Sequence, residues 1–227
     1  MDTIPDLVGL LTERLVPHIE PGRAAGQQAY MKTLQPFLGV RVPQVRQLTK
    51  DFAAELGLDT AEARLAAATE LWTQATHREH WYAAGELCAH KSAKGDLRFL
   101  PLYERMIHEG AWWDIVDGLS RRYGELLLAH PGIIEPLLRE WATDAFMWKR
   151  RMSMIAQLHA AAKTNTDLLD YALRSNLSDP EFFIRKALGW SLRQYGKTDP
   201  AWVLSWIERH KDQMSNLSLR EAIKRLL

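Results

Sequence analysis

The sequence predicts an all-α fold, a curved α-solenoid built from degenerate helical repeats. Apolar residues recur at helical spacing almost throughout, with no convincing alternating strand and no glycine-rich phosphate loop. Prolines and capping residues punctuate that pattern at short intervals and leave no long linker. Consecutive helix pairs recur at roughly 35–40 residues, within the range of arrays in which each pair buries its apolar face against the next.

Helices are expected over residues 6–18, 24–35, 43–56, 60–74, 77–92, 96–108, 111–128, 131–143, 146–162, 165–175, 180–195, 199–210 and 218–226. Pro43 and Pro131 open their segments, because a first-turn N–H has no helical partner to lose. Pro101 and Pro136 lie inside two periodic segments and signal a kink or a late start. Pro180 and Pro200 again suit first turns, which puts Asp179 and Asp199 at N-caps. Ser178-x-x-Glu181 and Ser218-x-x-Glu221 have the form of capping boxes. Tight loops between short helices argue for a single domain over residues 1–227. The pair spacing is near that of HEAT-like arrays, although the repeats share no consensus, and an irregular helical bundle is the alternative. A solenoid would present a concave wall.

The composition is that of a folded chain, 47% hydrophobic and 25% charged over 227 residues. Its single cysteine, Cys88, sits in an apolar helical run, which excludes internal disulfides and argues for a reducing compartment. The segment Met1–Asp6 has no basic leader, and no apolar run approaches a membrane span, so a cytoplasmic protein without membrane contact is expected. Net charge is only +1, but it is unevenly placed. Residues 1–140 hold 15 Lys+Arg against 19 Asp+Glu, net −4, whereas residues 141–227 hold 14 against 9, net +5. Lys149-Arg150-Arg151, Arg185-Lys186 and Arg193 with Lys197 recur on successive helices, which favours a basic surface over scattered solvated charge.

The stretch Ala111-Trp112-Trp113-Asp114-Ile115-Val116-Asp117 is the most informative. As a helix it aligns Trp112 with Val116 and Leu119, a core-seeking stripe, and sets Trp113 beside Asp117 on the neighbouring face. An indole next to a carboxylate suits a ligand that is apolar and cationic at once. A salt bridge from Asp117 to an arginine on the next helix is the plain structural alternative, because a buried acid needs a partner. Trp148-Lys149-Arg150-Arg151 opens a helix, where a cationic cluster suits phosphate. Lys186, Trp190 and Arg193 fall together at helical spacing, and Tyr30 offers another ring. His77 and His80, with Glu79 or Glu86 nearby, lack metal-ligand spacing and read as packing or surface residues. No metal or cofactor is expected.

Several blocks together carry a resemblance. Ala29-Tyr30-Met31-Lys32 through Phe37-Leu38-Gly39-Val40-Arg41-Val42-Pro43-Gln44-Val45-Arg46, then Trp112-Trp113-Asp114-x-Val116-Asp117, Trp148-x-x-Arg151 and Glu181-Phe182-Phe183-Ile184-Arg185-Lys186-Ala187-Leu188-Gly189-Trp190 are similar to AlkD-type DNA alkylation repair glycosylases. The match runs from about residue 25 onward, and residues 1–24 match only as an amphipathic helix. The resemblance implies a HEAT-like solenoid whose basic concave face grips duplex DNA carrying alkylated bases, acting as a monomer. It implies hydrolysis of the N-glycosidic bond of purines alkylated at ring nitrogen 3 or 7. Asp117 would be the catalytic carboxylate, Trp113 and Trp190 would flank the lesion's deoxyribose, and Arg151 would hold backbone phosphates. Tyr30 would touch the same nucleotide pair, and Trp112, Lys149, Arg150, Lys186 and Arg193 complete the expected DNA-binding set. Some relatives with this frame lack the acid and do not excise bases; this chain keeps it. A non-catalytic DNA-binding solenoid and a protein-binding scaffold with tryptophan anchors are the rival functions.

Overall fold

The computed structural model describes residues 6–224. Those residues form thirteen α-helices and no strand: α1 Leu7–Leu15, α2 Pro21–Met31, α3 Val42–Glu55, α4 Ala61–Thr73, α5 Arg78–Leu87, α6 Leu100–Gly110, α7 Trp113–Ala129, α8 Pro131–Trp141, α9 Met147–Ile155, α10 Thr166–Arg174, α11 Phe182–Tyr195, α12 Pro200–His210 and α13 Asn216–Ile223. Every predicted helix has a counterpart, and the differences lie at the ends. Pro101 marks a late start, because a short 3₁₀ turn at Leu97–Phe99 precedes α6. Pro136 stays inside α8, whereas Pro131 and Pro200 occupy first turns as expected. Asp199 caps α12 through the Trp202 N–H at 2.9 Å. Two caps differ from expectation. Helix α11 is preceded by Glu181, whose N–H binds Asp179 at 2.8 Å, so Pro180 lies outside the helix. Helix α13 is capped by Ser215, three residues before the predicted serine, and the final residues of the predicted 218–226 helix lie outside the described residues.

The chain divides between Met106 and Ile107 into two compact units. In the first, α1 packs on α3 and α4, and α5 packs on both. Leu11, Leu15, Val45, Phe52, Leu71 and Leu87 are fully buried there. In its core the buried Glu79 carboxylate accepts the N–H groups of Leu38, Gly39 and Val40 at 2.9–3.2 Å. This pins a loop whose turn needs a glycine, since Gly39 has φ +87°. His80, for which the sequence leaves packing and surface roles open, is fully buried.

The second unit is layered. Helix α7 packs on α9, α9 on α11 and α11 on α13, while α8 and α10 pack behind them. Hydrogen bonds between alternate helices cross at a nearly constant separation. Asp117 and Arg151 are 34 residues apart, Asn176 and Ala142 34, Lys186 and Glu221 35, Trp206 and Asp170 36, Ser191 and Met154 37. That interval lies close to the helix-pair recurrence read from the sequence. Two glycines allow the close approach. A Cβ on Gly124 would meet the Ala156 carbonyl at 2.6 Å, and one on Gly189 would meet Ser218 O and Glu221 Cβ at 2.5 Å.

Candidate active site

Helix α7 begins abruptly. Gly110 packs against Ile115, leaving no room for a side chain, and Ala111 takes a left-handed φ of +28° before Trp112 extends as the N-cap residue. Trp112 then turns into an aromatic cluster, with ring centroids 5.9 Å from Trp148 and 5.2 Å from Phe183. Val116 and Leu119 are buried on the same helix, as the predicted stripe requires. Trp113 and Asp117 occupy the adjoining, half-buried positions.

Asp117 meets Arg151 from α9 in a bidentate pair. Arg151 Nε donates to Oδ1 and Nη2 to Oδ2, both at 2.7 Å, while Nη1 donates to the Phe183 carbonyl. The guanidinium carbon lies 6.0 Å from the Trp190 ring centroid and 5.9 Å from that of Phe183, within cation–π range. Arg151 is only 4% exposed, whereas the Asp117 side chain keeps 19% of its surface open. The arrangement therefore holds the carboxylate at a fixed angle from behind and leaves part of it open. Charge-assisted fork pairing of this kind fixes orientation as well as adding energy.

The other predicted basic residues are less available than the sequence suggests. Lys149 binds Asp144 at 3.1 Å and lies over the Trp141 ring. Arg150 binds Asp179 at 2.8 Å and the carbonyls of Asp144 and Ala145. Lys186 and Arg193 both bind Glu221. Tyr30 lies in the last turn of α2 in the first unit and is 71% exposed. Glu221 enters the sequence reading only as the acid of a capping box, not as a partner of Lys186 and Arg193. Burial favours its neutral form, but hydrogen bonds from Lys186, Lys224 and Arg193 together outweigh that and bring its pKa down to about 2. Among the described residues no cluster of three or more His, Cys, Asp or Glu could hold a metal, and no helix is long and apolar enough to cross a membrane.

The sequence matches the DNA alkylation repair enzyme family over residues 11–226. The chain belongs to that family. Membership gives it a role in the repair of alkylated DNA. A solved structure described as a predicted DNA alkylation repair enzyme from Enterococcus faecalis is 32% identical, with a TM-score of 0.80 over 92% of this chain and 97% of its own. Among curated proteins no match is found.

Proposed function

We propose that the protein is an alkylpurine DNA glycosylase that hydrolyses the N-glycosidic bond of cationic N3- or N7-alkylated purines in duplex DNA, the first step of base excision repair. The observation that supports this most is a partly exposed carboxylate, Asp117, braced by Arg151, whose guanidinium lies 6.0 Å from the Trp190 ring, with Trp113 four residues away on the same helix.

Alkylation at either ring nitrogen makes the base a cation and a good leaving group. When the bond from the sugar breaks, its electron pair goes to the base and neutralises it, so no general acid is needed, unlike the paired carboxyls of glycoside hydrolases. Positive charge then sits on the sugar. A preoriented carboxylate stabilises that charge and orients the water whose oxygen adds to the sugar carbon, with loss of one proton. Flanking indoles attract the same cation, at about 0.5–2 kcal/mol each. In this reading Arg151 positions Asp117 first, and contact with backbone phosphates falls mainly to more exposed cations. Trp112 supports the site through its aromatic cluster rather than as an open ring. We read both units as one DNA-repair domain, because the family match spans them, and as a monomeric, cytoplasmic enzyme without a cofactor.

One observation favours a second reading, a non-catalytic DNA binder: Arg151 occupies both oxygens of Asp117, so the pair could serve packing alone. Chromatography of bases released from duplexes decides between them. The glycosylase releases 7-methylguanine or 3-methyladenine and leaves uracil and hypoxanthine, which are neutral and poor leaving groups. Release of no methylated base, or efficient release of uracil, refutes the mechanism.

A further inference from the structure

The layer that carries Trp190 continues into an open cleft between α11 and α13. About 440 Å³ in volume, it is lined by Trp190, Arg193, Gln194, Lys197, Glu221 and Lys224. Glu221 is its hub. Lys186 reaches Oε1 at 2.8 Å, Lys224 reaches Oε1 at 2.5 Å, and Arg193 reaches Oε2 at 2.5 Å and the Glu221 carbonyl at 3.2 Å. Lys197 bonds a neutral acceptor, Gln194 Oε1 at 2.7 Å.

Three cations bind the Glu221 carboxylate and a fourth, Lys197, lines the same cleft, so cations outnumber this acid by three even with Glu221 fully ionised. Holding α13 against α11 needs no such excess, since one cation would satisfy the acid. The acid is the buried member, with a side chain 7% exposed, while Lys224 keeps 55% of its side chain open. Arg193 and Lys224 thus share a buried anchor and, with Lys197, line the cleft, where like charges raise one another's energy until an anion enters. Trp190 ties the cleft to the carboxylate site, because the same indole lines the cleft and lies 6.0 Å from Arg151.

We propose that this cleft seats one phosphodiester of the DNA strand flanking the nucleotide at Asp117, with Arg193, Lys197 and Lys224 as its ligands and Glu221 as the residue that positions them. The inference rests on the reading of Asp117 as a site acting on DNA, and it assigns the register of the strand along α11.

A methylphosphonate walk tests it. Duplexes carrying a non-cleavable lesion analogue receive one neutral methylphosphonate at a time along the lesion strand. Wild-type protein should lose about 10-fold or more in affinity at one flanking position, the scale of losing a charge-assisted hydrogen bond. In Lys197→Ala/Lys224→Ala the same replacement should cost less than about 2-fold, while other positions keep their penalties. Glu221→Gln keeps an acceptor but removes the charge. It should raise non-specific duplex affinity and shrink the penalty at that one position; a purely structural Glu221 would lower the melting temperature and leave the penalty intact. Equal penalties in wild type and the double variant at every position overturn the cleft assignment while leaving the Asp117 reading standing. Inorganic phosphate bound at micromolar concentration and lost in the double variant, with no sensitive phosphodiester, assigns the cleft to free phosphate instead and overturns the proposal. Failure of wild type to bind any duplex overturns both.

Discussion

The Asp117–Arg151 pair can be cut from either side, and the two cuts should differ in kind. Asp117→Asn keeps one uncharged acceptor oxygen and turns an NH2 donor toward the other guanidinium N–H. Bonds to charged partners contribute about 1.5–3 kcal/mol each and neutral ones about 0.5–1.5. Losing one outright and weakening the second therefore costs about 2–4 kcal/mol, below the roughly 5–15 kcal/mol of a typical fold. For a chain of this size that lowers the melting temperature by roughly 5–15 °C and leaves folded protein to assay. The rate should fall further than stability does. Removing a preorganised electrostatic contact costs about 10²–10³ in the chemical step, measured as single-turnover base release per folded molecule. Arg151→Gln keeps the charged carboxylate but releases its brace, so release should fall up to about 10²-fold through misorientation. The double variant should recover some of the summed stability loss, by a coupling of about 0.5–3 kcal/mol, because it no longer buries a lone cation. It should recover no activity beyond that of Asp117→Asn. Recovery of both stability and release in the double variant, or near-wild-type release from folded Asp117→Asn, would refute a catalytic carboxylate and leave only a packing pair.

Gly189→Ala places a methyl against Ser218 O and Glu221 Cβ at 2.5 Å, contacts that backbone cannot relieve without moving α13. It should cost about 1–3 kcal/mol in urea unfolding and disturb Trp190 fluorescence; an unchanged midpoint would mean that α11 and α13 are not so closely apposed. Acid should weaken the first unit well before carboxylates titrate. Burial, then the neighbouring His77, lowers the His80 pKa to about 4 from an ordinary 6.5. Its Nδ1 accepts the Thr76 N–H at 3.2 Å, and Nε2 lies 3.0 Å from Thr12 Oγ1, so a second ring proton would break the Nδ1 contact. The unfolded chain therefore binds a proton that the fold refuses: stability is full above pH 6.5 and declines toward pH 4, by about 2–3 kcal/mol at pH 4.5. His80→Gln should flatten that slope, and an unchanged slope would place the acid sensitivity elsewhere.

What the sequence made legible was whatever repeats at short range. The stripe of Trp112, Val116 and Leu119, and the neighbouring position of Trp113 and Asp117, follow from 3.6-residue periodicity alone. The partner of Asp117 was legible only as a type, an arginine on another helix, because 34 residues separate it from Arg151. Local patterns misled where they had no tertiary support. Ser178-x-x-Glu181 has the form of a capping box, but Asp179 is drawn to Arg150 and to the Glu181 N–H instead. Ser218 lies within α13 and donates to the Arg185 carbonyl at 3.0 Å, leaving Ser215 to cap. The basic clusters read as a free surface because charge counts ignore pairing; Lys149, Arg150 and Arg151 each hold an aspartate. Glu221 could not be singled out locally. The helix-pair interval was the one available signal, since it sets this acid opposite Lys186.

Asp117, Arg151 and Trp190 come from α7, α9 and α11, one group from each successive layer. Three helices side by side, each about 10–12 Å across with side chains, make a surface about 30 Å wide. On the proposed function, such a surface measures its ligand. A free alkylated nucleoside contains the same scissile bond, but it could reach only the immediate neighbourhood of Asp117. A strand rising about 3.4 Å per nucleotide extends over the flanking layers and collects their binding energy, which can be spent on orientation at the reacting sugar. Damaged monomers in the nucleotide pool would then be poor substrates without any gate to exclude them. Preference for the polymer would follow from the spacing of the helices themselves.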